Sequence, residues 1–248
     1  MTEKTKEILE KSEINENYLK LPNIILNRDE YVDVKKTLDG IGGKWKGGKI
    51  QAFTFNSSPK ELLDNILGGK KINLKKDFQF FPTPSIIADR LVKLAEIEKE
   101  HTILEPSAGQ GAIIEAIRKV SKKVIGYYEL MKQNKDILES KELNTLYLGD
   151  DFIENKVLVK FDRIVANPPF TKNQDIIHLL KMYDCLNNNG ILVCITSTSW
   201  ERGTQKKQLE FKQWLKSVNA EILKIDAGSF KESGTNIETR IIKIKKTI

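Results

Sequence analysis

Phe161-Asp-Arg-Ile-Val-Ala-Asn-Pro-Pro-Phe170 joins a short apolar run to an asparagine, two prolines and an aromatic ring. Ile164-Val-Ala166 is too short for a helix and is stopped by the prolines, so it reads as a buried strand entering a rigid loop. Each proline fixes its own φ and pushes the residue before it out of the α region, which holds Asn167 and Pro168 extended. Pro168 and Pro169 have no N–H to offer. The loop therefore presents acceptors, the Asn167 amide oxygen and the Pro168 carbonyl, with the Phe170 ring beside them. Such a set can take both N–H bonds of an aromatic amine while the ring stacks on the heterocycle, aiming a weak nucleophile without a strong base. Taken alone, the four residues read equally well as a polar turn closing a strand.

Upstream, Thr102-Ile-Leu-Glu-Pro-Ser-Ala-Gly-Gln-Gly111 reads as a strand ending on an acid, a loop of small residues, and then a helix from Ala112 to Lys119. Gly109 and Gly111 let backbone approach a ligand closely, and the opening helix offers unpaired N–H groups. The loop begins Glu-Pro rather than Gly-x-Gly and lacks a phosphate-loop lysine, so it is neither a dinucleotide fingerprint nor a Walker motif. With Asn-Pro-Pro-Phe following in this order, the chain resembles the S-adenosylmethionine-dependent amino-methyltransferases, specifically the DNA adenine-N6 branch, and the segment around Gly42-Gly-Lys-Trp45 resembles the small N-terminal module of its solitary phage and mobile-element members.

The resemblance covers roughly residues 80 to 244 and implies roles residue by residue. Phe81 and Thr83, within Phe80-Phe-Pro-Thr-Pro84, match the motif that holds the methionine part of the cofactor. Glu105, Pro106, Ser107, Ala108, Gly109 and Gly111 match the main cofactor loop, and Glu129 the acid that binds both ribose hydroxyls. Gly149-Asp-Asp-Phe152 matches the adenine pocket, with Asp151 as partner of the adenine amine, Asp150 an open alternative, and Phe152 as the stacking ring. Asn167, Pro168, Pro169 and Phe170 match the catalytic loop. The family implies duplex DNA as partner, with the target adenine flipped from the stack. An aromatic between the last two strands packs against the flipped base in that family. Phe230 is the candidate, a local core residue being the alternative, and Lys231, Arg240 and Lys243 are candidates to reach phosphate.

Around these motifs, strands at Thr102 to Glu105, Lys123 to Tyr128, Thr145 to Leu148, Phe161 to Ala166 and Gly190 to Thr196 alternate with helical segments. Alternation at this spacing predicts a parallel sheet covered on both faces, with ligand sites at the carboxyl ends of its strands. Glu221 to Asp226 and Asn236 to Lys245 are expected to add an antiparallel hairpin. The expected fold is α/β, a doubly wound, mostly parallel seven-stranded Rossmann-like methyltransferase sheet. To it is added a small basic N-terminal α+β module.

The 248 residues suffice for one sizeable domain and an appendage, and the net charge of +7 is unevenly spread. Residues 1–76 carry 15 Lys/Arg against 11 Asp/Glu, residues 77–201 carry 15 against 18, and residues 202–248 carry 11 against 5. Basic flanks around a mildly acidic centre suit a polyanion held near a site for a cationic cofactor. Residues 1–20 alternate Glu and Lys with few apolar anchors and read as a frayed helix or a tail, and residues 1–25 are expected to form a flexible tail. Residues 26–76 read as a module of helix, hairpin and helix, with a methyltransferase domain over 77–248. Within the module Lys44, Trp45 and Lys46 are candidates for DNA contact. Phe53 and Phe55 are expected in its core, while Trp45 is open between the two roles.

No apolar run reaches about 18 residues and the N-terminus is polar, so a cytoplasmic protein without a membrane partner is expected. Cys185 and Cys194 read as reduced core residues. His101 and His178 lack Cys or His partners at ligand spacing, so no metal is expected. Two other readings stay open: the same chemistry on guanine N2, cytosine N4 or a protein glutamine, and a non-catalytic DNA-binding remnant. Intact glycines, Glu129 and Asn167 speak against the remnant. No insertion is long enough for a separate target-recognition domain.

Overall fold

A computed structural model describes residues 1–55, 58–70, 82–230 and 237–247. The chain divides into two compact units, Met1–Phe80 and Phe81–Ile248.

In the first unit, α1 (Glu3–Glu10) starts where the Thr2 hydroxyl accepts the Thr5 N–H, and β1 (Glu13–Asn15) and β2 (Tyr18–Lys20) form a tight hairpin. Helix α2 (Arg28–Gly40) opens with a capping box between Asn27 and Glu30. Strands β3 (Lys44–Lys46) and β4 (Ala52–Thr54) follow, then α3 (Lys60–Leu67). The four strands form an antiparallel sheet in the order β1-β2-β4-β3. Residues 3–20 are therefore folded, correcting the expectation of a flexible tail. Their aliphatic side chains turn inward: Ile8, Leu9 and Leu19 are buried with Val34, Leu38, Phe53, Phe55 and Leu63, and Ile14 packs against them. Asp33 of α2 also accepts hydrogen bonds from the Thr2 N–H and the Thr5 hydroxyl, tying α1 to α2.

In the second unit α4 (Ser85–Leu94) precedes an alternation: β5 (Ile103–Glu105), α5 (Ala112–Arg118), β6 (Ile125–Tyr128), α6 (Lys132–Glu139), β7 (Thr145–Gly149) and β8 (Phe161–Ala166). After a 3₁₀ turn at Thr171–Asn173 come α7 (Gln174–Asp184), β9 (Leu186–Ser197), α8 (Ser199–Arg202), α9 (Lys206–Ser217), β10 (Glu221–Ile225) and β11 (Thr239–Lys245). The seven strands lie in the order β10-β11-β9-β8-β5-β6-β7. Pairings from β9 across to β7 are parallel, and β11 enters antiparallel to both β9 and β10. Both faces of the central strands are apolar, as a sheet covered on two sides requires: Ile103, Val165 and Val193 face one core, Leu104, Ile164 and Leu192 the other. Cys185 and Cys194 are buried free thiols, and desolvation raises both pKa values. No helix among the described residues is long and apolar enough to cross a membrane.

Chain order reverses between β5 and β8, the adjacent central strands, and a crevice opens at such a switch point beyond the carboxyl ends. The loops leaving these two strands are residues 106–111 and 167–170, the two stretches singled out by sequence.

Candidate active site

Asn167 follows directly on β8, and Glu105 closes β5 beside it. Pro168 is buried, whereas Asn167, Pro169 and Phe170 stay partly accessible, and the Phe170 ring leans on the core cluster that contains Ala108. The Asn167 Nδ2 donates to the Thr83 hydroxyl at 3.0 Å, just before α4. That bond orients the amide. Its Oδ1 has no hydrogen-bond partner among the described residues, so the acceptor end is left for a donor from outside.

The glycine loop is fastened to the next strand. Ala108 N–H donates to the Tyr128 carbonyl at 3.0 Å and Gly109 N–H to Glu129 Oε2 at 2.7 Å. Gly111 caps α5 with a φ of 88°, a left-handed value that glycine takes without strain, and a Cβ there would lie 2.4 Å from Leu138 Cδ1.

Two carboxyls converge here. Glu129 is buried and also accepts the Met131 N–H at 2.8 Å and Asn134 Nδ2 at 3.3 Å. Burial pushes its pKa up, against the downward pull of those N–H donors. Glu105 is 1% exposed, and burial first, then the charge of Glu129, push it well above the carboxylate range. Glu105 Oε2 and Ser107 Oγ lack partners among the described residues. Buried orphaned acceptors are costly unless something supplies donors. S-adenosylmethionine fits that donor set, since it brings an ammonium, two ribose hydroxyls and a positive sulfonium.

Other candidates are placed differently. Phe81 and Lys231 lie outside the described residues. Asp151 Oδ1 accepts the N–H groups of Ile153 at 2.7 Å and Glu154 at 3.4 Å, and Asp150 takes the Tyr147 hydroxyl, so both carboxylates already have local partners. Phe152, expected as the stacking ring of the adenine pocket, is 2% exposed. It packs edge-on against Tyr128 at 5.3 Å, with Lys181 Nζ 5.1 Å over its face, so it is a core residue. Phe230 is likewise buried, in the same core cluster as Ala108 and Val165, which corrects its assignment to the target base in favour of the local-core alternative. Arg240 is held by Glu201 at 2.7 and 2.9 Å and by Glu238 at 2.9 Å, and Lys243 by Glu96 at 2.6 Å. Neither is free for phosphate. In the first unit Lys44 and Lys46 are exposed. Trp45 packs edge-on against Phe53 at 5.2 Å while keeping part of its ring in solvent.

Two supports went unread in the sequence. Asp175, fully buried in the first turn of α7, accepts the Ser197 N–H at 2.9 Å and the Ser197 hydroxyl at 2.8 Å, bracing the segment after Phe170 against the end of β9. Asn134 orients Glu129. Both sit on helices where a polar residue is unremarkable, and only their tertiary partners reveal them.

Among known proteins, the type II methyltransferase M.HincII of Haemophilus influenzae is 29% identical over 112 residues, 45% of this chain. The chain matches one fifth of that protein's length, 20%. The methyltransferase subunit of a type I restriction-modification system from Streptococcus thermophilus superposes with a TM-score of 0.60 at 17% identity, covering 68% of this chain and 45% of that one. The M protein of the type I restriction enzyme EcoKI gives 0.58 at 12% identity, over 89% and 55%. At these identities the structural likeness speaks for the fold, which is that of Rossmann-like methyltransferases. A family model matches residues 65–223, and the chain belongs to the family it describes, conserved hypothetical protein 95.

Proposed function

We propose that the chain transfers the methyl group of S-adenosylmethionine to the exocyclic N6 amine of adenine in DNA, the base being turned out of the duplex to be reached. Residues 77–248 would carry the chemistry. Support comes chiefly from the oriented Asn167 amide, whose free oxygen stands at the tip of β8 beside the glycine loop of β5. The similarity to a type II methyltransferase points the same way.

Asn167 Oδ1 and the Pro168 carbonyl accept the two amine hydrogens, which draws the nitrogen lone pair out of conjugation with the ring. Phe170 stacks on the base. Thr83 holds the amide in the productive orientation. Glu129 would accept the ribose hydroxyls at the positions its internal N–H donors leave open, and Glu105 and Ser107 would offer their unpartnered oxygens to the amino acid portion. When bound, S-adenosylmethionine supplies an electrophilic methyl on a sulfonium. The nitrogen would attack the methyl carbon in line as the carbon–sulfur bond breaks, the bonding pair leaving with sulfur as S-adenosylhomocysteine, and the amine proton would pass to water, so no strong base is required.

The Asn167→Ala variant is expected to keep cofactor affinity by calorimetry and to lose about 10²–10³-fold in kcat. Digestion of labelled product DNA should yield N6-methyladenine. Full turnover in the variant, or label recovered only in RNA or protein, would overturn the assignment.

A further inference from the structure

In the four-stranded sheet, side chains alternate between two faces. Register aligns Ile14 with Leu19, Leu19 with Phe53, and Phe53 with Trp45, so these four share the inner face. The outer face carries the row Asn15, Tyr18, Thr54 and Lys44, and beside it the pairs Glu13 with Lys20 and Ala52 with Lys46. Trp45 is thereby separated from the two lysines that flank it in sequence. Lys49, in the turn between β3 and β4, is exposed as well.

Three of the five helix lysines of this unit are paired, Lys4 with Glu7, Lys35 with Asp39 and Lys60 with Asp64, while Lys6 and Lys36 make no ion pair among the described residues. On the sheet, Lys20, Lys44, Lys46 and Lys49 make no ion pair among the described residues, and Glu13 is the one acid in those outer-face rows. Three helix lysines cancel their charge locally, whereas all three outer-face lysines of the sheet, and Lys49 in its turn, are without an ion pair among the described residues. Two positions along a strand are about 7 Å apart and cross-strand neighbours about 5 Å. The lysines therefore form a short cationic strip with the Tyr18 and Thr54 hydroxyls beside it. Flexible ammonium groups on such a strip neutralise phosphates and read no base sequence.

We propose that the outer face of this sheet, with Lys20, Lys44, Lys46 and Lys49, grips the phosphate backbone of duplex DNA. The choice of DNA rests on the methyltransferase reading above; the open cationic face itself does not.

The test is fluorescence anisotropy of a labelled duplex with the full chain over a series of salt concentrations, without cofactor. The slope of log affinity against log salt should become shallower by about 2.7 in K20A/K44A/K46A, because each phosphate contact contributes about 0.9. Affinity should fall about tenfold or more at 0.1 M salt. The charge-keeping K20R/K44R/K46R variant should retain both, and K35A/K60A, which removes paired helix lysines, should change neither. An unchanged slope in the alanine triple overturns the proposal, as does an equal loss in the helix control. So does a slope effect found only with RNA. Because binding is read without turnover, a chain that fails to methylate DNA leaves this result standing. A chain that methylates DNA with a slope indifferent to the three lysines overturns the surface alone.

Discussion

Asn167 gives its amide nitrogen to Thr83, and that single bond decides which end of the amide faces outward. Thr83→Val keeps the shape and removes the acceptor. The amide is then free to rotate, and losing a hydrogen bond of about 1 kcal/mol should lower kcat about fivefold with little change in KM for DNA, measured in steady-state methylation. Glu105 makes a second case. Its carboxyl is raised in the folded state, so over pH values between the ordinary carboxylate range and its raised value the folded chain holds a proton that the unfolded chain releases. Stability is full below the unfolded pKa and is lost as pH rises through the folded one. Glu105→Gln should flatten that decline and raise Tm at neutral pH by about 2–4 °C, as a gain of about 1 kcal/mol would in a chain of this size. Thermal melts across pH check this, and calorimetry should show weaker S-adenosylmethionine binding. At this scale the sequence was legible for Asn167 and the glycines, whose backbone restrictions are intrinsic. It was not legible for Phe152 and Phe230, because whether a ring stacks on a ligand or fills a core depends on neighbours far along the chain.

Between α7 and β9, Asp175 acts as a strut. The backbone just before it is unusual, Lys172 and Asn173 both lying in the left-handed region, with φ of 54° and 59°. Asn takes that region readily and Lys does not, so Lys172 carries the strain; Gln208 Nε2 donates to Asn173 Oδ1 at 3.4 Å, and Asp175 pins the helix that follows to Ser197. Asp175→Ala strands the Ser197 N–H in the core and leaves the Ser197 hydroxyl only Ser199 as a partner, at 2.7 Å. It should cost about 2–3 kcal/mol in urea unfolding and reduce kcat more than it alters KM. Asp175→Asn, which keeps one acceptor, should recover part of both. The elements themselves were largely visible in advance, since strand–helix alternation and prolines mark them locally. The exception was residues 3–20, where Glu and Lys dominate. Their helix and hairpin exist because Ile8, Leu9 and Leu19 reach a core supplied by later residues.

The two units have separate cores, so damage in one should stay there. Leu38 is fully buried in the first. Leu38→Ala should cost that unit about 2–5 kcal/mol while leaving S-adenosylmethionine affinity unchanged, a split that calorimetric unfolding combined with a cofactor titration would display. Net charge foresaw basic flanks but not their pairing. Arg240 and Lys243 lie within ion pairs, whereas the sheet lysines remain open, and only tertiary structure separates the two groups.

Strand β5 lies beside β8, and Thr102 bonds to Asp162 across 60 residues of chain. On a ribosome, the first half of the site must wait for its other wall to emerge, with β6 and β7 already made and nothing yet beside them on that edge. Closing so large a loop is entropically slow. The crevice between β5 and β8 thus cannot form before residue 166 has emerged, and a product stalled or truncated short of β8 would expose the apolar flank of β5 to chaperones.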